Sequence, residues 1–172
     1  MIYQLPDVAL NPRQHVRDVI GRPLSFYLGL RGKEKERRII ELLEQIELSE
    51  KYIDRLPDEL SGGERQTVAI ARAVHFGAKI LILDEPTSAL GVRQTSNVLA
   101  TIDKVRKQGI GVVFISHNVR HALAVGDRFT VLNRGKTLGT AQRGEISPEQ
   151  LQDLMAGGQE MAQLEGSLGG TV

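Results

Sequence analysis

Two short apolar runs, at residues 80–83 and 112–116, lie in the middle of the chain. Continuous apolar runs are typical of strands that are covered on both faces, as in parallel sheets. Between the runs, apolar residues recur at helical spacing on one face of a helix predicted over Val92–Lys107, which Gly109 would terminate. These residues are Val98, Leu99, Ile102 and Val105. The pattern therefore predicts a strand, helix, strand crossover with parallel strands.

The first half of the chain favours helices. Apolar positions at helical spacing, with charges on the opposite face, predict an amphipathic helix over residues 33–47. Residues 64–75 are so rich in alanine, valine and isoleucine that they predict a largely buried helix. By contrast, Gly21 and Pro23 punctuate residues 16–28, for which we expect only a short, interrupted helix.

Shorter elements are predicted on either side of this centre. Residues 1–3 resemble the end of a strand, and Pro6 then begins an irregular segment. After the crossover we expect a short helix at 119–125 and a hairpin of strands 128–132 and 137–140. Ser147 and Pro148 are typical of a helix start. Residues 157–172 are rich in glycine and poor in core residues, so a flexible tail is expected.

Composition narrows the classes of function. The 172 residues include 22 Lys and Arg against 21 Asp and Glu, a net charge of +1 that gives no argument for nucleic acid or an anionic surface. The sequence has no cysteine, which is compatible with a reducing cytosol. No apolar run approaches the roughly 20 residues that span a bilayer, and the start lacks the pattern of a signal peptide. We therefore expect a cytoplasmic chain.

Asp84 and Glu85 come directly after the first apolar run. In parallel α/β sheets, ligands bind beyond the carboxyl ends of the strands. Since neighbouring strand residues point to opposite faces, we expect two roles: one carboxylate holds Mg²⁺, directly or through water, and the other faces an attacking water. The alternative is a solvated turn at a strand end.

Two further polar residues follow apolar, strand-like segments. His117 directly follows the second run, at the sheet edge where Asp84 is expected, and could contact a terminal phosphate. Taken alone, it is more simply a partly buried histidine at a strand end. Gln4 follows residues 1–3, and its amide could reach a metal-bound water.

Residues 60–64, LSGGE, form what we call the Ser61 turn. Ser61 is a plausible helix cap, and Gly62 and Gly63 allow a ligand to approach the backbone closely. The alternative is an ordinary helix cap. No stretch of the sequence has the glycine, four residues, Gly-Lys-Ser/Thr pattern of a phosphate-binding loop.

Taken together, these motifs resemble the nucleotide-binding subunit of ATP-binding cassette (ABC) transporters. The Ser61 turn resembles the family signature, residues 80–85 its Walker B strand, residues 88–91 its D-loop, His117 its switch histidine and Gln4 its Q-loop glutamine. The resemblance implies an α/β, partial P-loop NTPase (ABC ATPase) fold: a mostly parallel sheet with an inserted α-helical subdomain. It covers residues 1–156, with a helical subdomain at 6–78, a core at 79–140 and a C-terminal helix at 147–156.

The resemblance also implies roles for residues. Glu85 and His117 would be catalytic, and Asp84 and Gln4 would bind Mg²⁺. The turn residues would contact ATP held by a second ATPase subunit in a head-to-tail dimer; they are Ser61, Gly62, Gly63 and Glu64. The helical subdomain would meet membrane permease subunits, which places the protein peripherally at the cytoplasmic face of the inner membrane. No nucleic-acid partner is implied.

The sequence departs from the family in three ways. It lacks the Walker A loop and the aromatic residue that stacks on adenine, which implies an N-terminally truncated domain that we do not expect to bind or hydrolyse ATP alone. Gly91 stands where most members have the D-loop aspartate. Residues 4–28 are similar to peptide importers, whereas the chain from Ser61 onward is similar to ribose, xylose or fructose importers.

The leading hypothesis is therefore an ATPase subunit of an importer, with a sugar as the solute. One alternative is a peptide importer, and another is a catalytically incompetent fragment that only binds a partner. A third is an ATPase of DNA repair or translation, against which the lack of a long heptad segment and of a basic patch counts.

Overall fold

The computed structural model describes residues 10–157, so the predictions for Gln4, residues 1–3 and the tail beyond residue 157 lie outside the described residues. The described elements, in chain order, are α1 (Val16–Leu28), α2 (Gly32–Gln45), α3 (Gly62–His75), β1 (Ile80–Asp84), α4 (Val92–Lys107), β2 (Gly111–Ile115), α5 (Val119–Val125), β3 (Arg128–Asn133), β4 (Lys136–Gln142) and α6 (Pro148–Met155). Two single 3₁₀ turns, Glu50–Tyr52 and Pro57–Glu59, lie between α2 and α3. The chain divides into two compact units, one ending at Ile115 and the other beginning at Ser116.

The predicted crossover is present in the first unit. Strands β1 and β2 pair in parallel from Ile80 opposite Gly111 to Asp84 opposite Ile115, and α4 connects them. A parallel pair requires such a crossover, which explains why the two apolar runs stand so far apart in the sequence.

Among residues 10–157, one face of this strand pair is buried and the other is largely exposed, which corrects the expectation of burial on both faces. Leu81 and Leu83 are 2% and 0% exposed, whereas Ile80, Val113 and Ile115 on the opposite face are 64%, 48% and 46% exposed. An apolar run shows that a strand could be buried on both faces. Burial also requires other helices or strands to pack against each face. We call the exposed side, with Ile82 and Asp84, the open face of the strand pair.

Helix α1 corrects a second expectation, because it runs for 13 residues without interruption and includes both Gly21 and Pro23. Its apolar side is buried, with Val16, Ile20 and Leu24 at 1%, 1% and 0% exposure. Gly21 is also buried, and a β-carbon there would lie 3.1 Å from Cδ1 of Ile39 in α2. Tertiary burial of the apolar side therefore outweighs the helix-breaking tendency of the two residues.

Helices α2 and α3 are as predicted, apart from shifts of their ends. The amphipathic helix α2 buries Ile39, Leu42 and Leu43. Helix α3 begins at Gly62, two residues before the predicted start, and its buried residues cluster in its first ten positions. No helix among residues 10–157 is both long enough and apolar enough to cross a membrane.

The second unit contains the predicted short helix, hairpin and C-terminal helix. Strands β3 and β4 pair antiparallel, with a register shift between Val131 and Leu132. Its core consists of Phe129, Val131 and Leu151. Ser147 caps α6 by accepting a hydrogen bond from the amide of Gln150, as its position before Pro148 predicts.

Candidate functional site

The Ser61 turn is held by a reciprocal pair of hydrogen bonds. The Ser61 hydroxyl accepts from the Glu64 amide at 3.3 Å, and Glu64 Oε2 accepts from the Ser61 amide at 2.7 Å. This is a capping box, in which each residue satisfies a backbone N–H of the other. The amides of Gly62 and Gly63 come first in α3, where N–H groups have no partner within a helix, so they are available to an anion at the N-terminus.

The second oxygen of Glu64 is occupied by a tyrosine from the preceding segment. The Tyr52 hydroxyl donates to Glu64 Oε1 at 2.6 Å. Burial by itself raises the pKa of Glu64, but the hydrogen bonds from Tyr52 and Ser61 outweigh it and hold the pKa below its usual range. The same hydrogen bond, followed by burial, raises the pKa of Tyr52. Glu64 is therefore a stable carboxylate with both oxygens occupied.

The glycines of the turn are required for close packing within this unit. A β-carbon at Gly63 would lie 2.9 Å from Cβ of Gln94 in α4, a distance that real β-carbons essentially never show. A β-carbon at Gly62 would lie 3.0 Å from the Leu90 Cδ2 methyl. The two glycines therefore let α3 approach the start of α4, in addition to any approach they allow to a ligand.

The segment that resembles a D-loop, residues 88–91, adjoins the Ser61 turn through these contacts. Gly91 is the N-cap of α4, and the Gln94 side chain accepts a hydrogen bond from its amide at 3.2 Å. Sequence reasoning missed Gln94 and Tyr52 as parts of the site. No motif marks these two residues, because their importance depends on which elements meet in the fold.

Asp84 and Glu85 are both half-buried at the carboxyl end of β1. The Glu85 amide donates to the Ile115 carbonyl at 2.9 Å, so the backbone pairing with β2 extends one residue beyond the strand. Glu85 nevertheless has a φ of 48°, in the left-handed region that non-glycine residues rarely occupy. A strained residue held by its surroundings is a marker of functional sites. Asp84 lies on the open face of the strand pair, in register with Ile115.

The remaining predicted site residues are His117 and Gln4. His117 is exposed and lies in the second unit, two residues after β2 ends, directly before Asn118, the cap of α5. Its relation to the carboxylates stays a prediction, and Gln4 lies outside the described residues.

The residues fit a magnesium ion that is shared with phosphate oxygens. Among residues 10–157, no group of three or more His, Asp or Glu side chains could hold a metal ion alone. Magnesium is usually bound through one or two carboxylates together with substrate phosphates, and a half-buried Asp84 at a strand end satisfies the protein's part of that requirement.

Known proteins are similar to this chain in sequence. Residues 1–88 match the profile described as "ABC transporter". The chain is 35% identical to the xylose/arabinose import ATP-binding protein XylG of Sulfolobus acidocaldarius over 156 residues, which cover 90% of this chain and 61% of that protein. It is 39% identical to the probable D,D-dipeptide transport ATP-binding protein DdpF of Escherichia coli over 155 residues, 86% of this chain and 49% of that protein.

A solved structure shares the fold. It is a dimer of the ATP-binding cassette MJ0796 in a post-hydrolysis state bound to ADP and Pi, with a TM-score of 0.70 and 28% identity over 84% of this chain and 62% of that chain. The chain thus spans about half to three fifths of the length of these curated relatives.

Proposed function

Because this chain belongs to the ABC transporter family, we propose that it forms part of an ATPase subunit that hydrolyses ATP at a head-to-tail dimer interface to drive import. The fold is the predicted one, a partial ABC ATPase fold of the P-loop NTPase class. In keeping with the lengths of the relatives, the phosphate-binding loop that holds ATP would be joined to this chain in the complete subunit.

The observation that supports this proposal is that the Ser61 turn and the end of β1 are both formed in the structure. The Ser61 turn presents the Gly62 and Gly63 amides at the start of α3, and the end of β1 presents Asp84 and a Glu85 with a positive φ. The former would bind the phosphates of an ATP held by the partner subunit, and the latter would act on the ATP of its own subunit.

Each side chain has a distinct role in this mechanism. Asp84 and Gln4 would hold Mg²⁺, which when bound neutralises phosphate charge. Glu85 would orient and deprotonate the attacking water, since it directly follows Asp84 at the carboxyl end of β1. His117 would donate a hydrogen bond to the terminal phosphate. Ser61, Gly62, Gly63 and Glu64 would close the site from the partner subunit.

The direct test is Glu85→Gln in a complete subunit that joins this chain to a phosphate-binding loop. Loss of the base should lower kcat for ATP hydrolysis by about a hundred-fold or more, while ATP still binds. Unchanged hydrolysis would refute the role of Glu85. A parallel titration of the chain with Mg²⁺ and ATP should show no tight binding, and tight binding would contradict the need for the joined loop.

We propose a sugar as the imported solute. Support comes from the resemblance of the chain from Ser61 onward to monosaccharide importers and from the xylose/arabinose relative. The test is to reconstitute the complete transporter in vesicles and to measure ATP hydrolysis with and without sugar. Xylose or ribose should stimulate hydrolysis.

A peptide importer is the second candidate, favoured by the 39% identity to a dipeptide transport protein. Stimulation by dipeptides and not by sugars in the same vesicles would establish this alternative. In either case, the partners are a second ATPase subunit and membrane permease subunits, with the helical subdomain facing the permease. The protein would lie peripherally at the cytoplasmic face of the inner membrane.

A further inference from the structure

The segment before the Ser61 turn is anchored to the start of α1. The amides of Val16 and Arg17 donate to the carbonyls of Arg55 and Ile53, each at 2.9 Å. Arg17 forms an ion pair with Asp54. The buried side chain of Ile53 adds an apolar contact surface. The first N–H groups of α1 would otherwise lack partners, so these bonds fix the segment as well as the helix.

From this anchored segment, Tyr52 reaches the Ser61 turn. The Arg55 guanidinium lies 4.6 Å from the centre of the tyrosine ring and the Lys51 ammonium 5.5 Å, so two cations help to orient the ring. Its hydroxyl donates to Glu64 Oε1 at 2.6 Å, and the other Glu64 oxygen accepts from the Ser61 amide. A continuous path of hydrogen bonds thus runs from the tyrosine through Glu64 to the amide of Ser61.

The same hydrogen bonds reduce the electrostatic repulsion between Glu64 and a phosphate. A carboxylate at the start of α3 interacts well with the helix dipole, but it would repel a phosphate that approaches the same N-terminus. With Oε1 and Oε2 both engaged, Glu64 is kept in one position and its charge is partly offset by donors.

We propose that Tyr52 is a positioning residue for the Ser61 turn, holding Glu64 so that the Ser61 and glycine groups are arranged for the partner-held ATP. This inference depends on the proposed function of the turn. Tyr52 itself touches no nucleotide in this scheme and acts only through Glu64.

The test is Tyr52→Phe, which removes one hydroxyl and keeps the ring. In the chain itself, NMR should show changed amide shifts for Ser61 and Glu64, and a Glu64 carboxyl that titrates at higher pH than in the wild type. In the complete subunit, the ATP concentration for half-maximal hydrolysis should rise about three-fold or more, with kcat nearly unchanged. Tyr27→Phe is the matched control, because Tyr27 is 69% exposed and should alter neither measurement.

A double-mutant cycle with Glu64→Ala decides whether the effect passes through Glu64. In that background, adding Tyr52→Phe should have no further effect on ATP dependence. An undiminished effect would overturn the proposal, as would unchanged NMR signals in the single variant. If the wild-type complete subunit hydrolyses no ATP, the proposed function fails, while the NMR measurements still decide whether Tyr52 positions the turn.

Discussion

The Ser61 turn and the end of β1 present polar groups in opposite ways. At the turn, side chains satisfy one another: Ser61 and Glu64 cap the helix, and Tyr52 occupies the remaining oxygen. At the strand end, Glu85 is held in an unfavourable backbone conformation and Asp84 lies on the open face of the strand pair. The turn is therefore complete within its unit, whereas the strand end has the features of a surface that requires further contacts.

The difference shows two ways to prepare a site for phosphate. One fixes donors by hydrogen bonds that are already made before a ligand arrives. The end of β1 instead has a strained backbone and an exposed apolar face. Part of the stability of this region therefore has to come from what binds there. Four tests of this contrast follow, from the largest expected effect to the smallest.

The strongest test compares the two faces of the strand pair. Leu83→Ala removes a fully buried side chain and should lower the free energy of unfolding by about 2–5 kcal/mol. Ile115→Ala, on the open face, should cost less than about 1 kcal/mol, because Ile115 is already 46% exposed. Urea unfolding of both variants checks the pair. Equal losses would mean that the second face is covered in solution.

The packing of the turn is tested by adding one methyl group. Gly63→Ala would place a β-carbon 2.9 Å from Gln94 Cβ and should destabilise the chain by about 1–3 kcal/mol. Gly62→Ala is the matched control, since its neighbour is a Leu90 methyl that can rotate away. Thermal unfolding should separate the two variants. A Gly63→Ala variant as stable as the wild type would show that the start of α4 can move away from α3.

Strain at the strand end predicts a variant that is more stable and less active. Glu85→Gly should raise the free energy of unfolding by up to about 1 kcal/mol, because glycine adopts a positive φ without steric cost. ATP hydrolysis by the complete subunit should be lost at the same time. Asp84→Gly, within the strand, should instead destabilise. A destabilising Glu85→Gly would mean that the contacts of the glutamate side chain outweigh its backbone strain.

The smallest expected effect is a pH dependence of stability that arises from His75, the last residue of α3. Burial, and to a lesser extent the charge of Arg38, lower the pKa of His75, and among the described residues its Nε2 is buried without a hydrogen-bond partner. The unfolded chain, where histidine titrates near about 6.5, therefore binds a proton at higher pH than the folded chain. Stability should be constant above that value and fall as the pH decreases below it.

His75→Gln should flatten this dependence, which thermal unfolding between pH 8 and pH 5.5 would measure (a range spanning the ordinary histidine pKa of about 6.5). If the stability of the variant fell with decreasing pH as steeply as that of the wild type, another titratable group would be responsible for the pH dependence. The capping box at the other end of α3 should be unaffected in this range, because the pKa of Glu64 lies below its usual value.

Local sequence patterns predicted most elements correctly where local chemistry and packing agree. The apolar runs of β1 and β2, the Ser147 cap and the amphipathic α2 are examples. Prediction was wrong for α1, because the propensities of Gly21 and Pro23 act locally whereas the burial of Leu24 and Ile20 depends on α2 and α3. The positions predicted for His117 and Gln4 relative to the carboxylates remain predictions.

The sequence by itself determined the family and its polar motifs, because residue identity at fixed spacing, as in LSGGE and in the acidic pair after residue 83, is a property of the chain alone. Only the tertiary structure decided that Tyr52 completes the Ser61 turn, that Gly63 allows α3 to pack against Gln94, and that one face of the strand pair is exposed within the described part of the chain. These facts depend on which distant residues meet, and contacts between elements leave no regular period in the sequence from which to predict them.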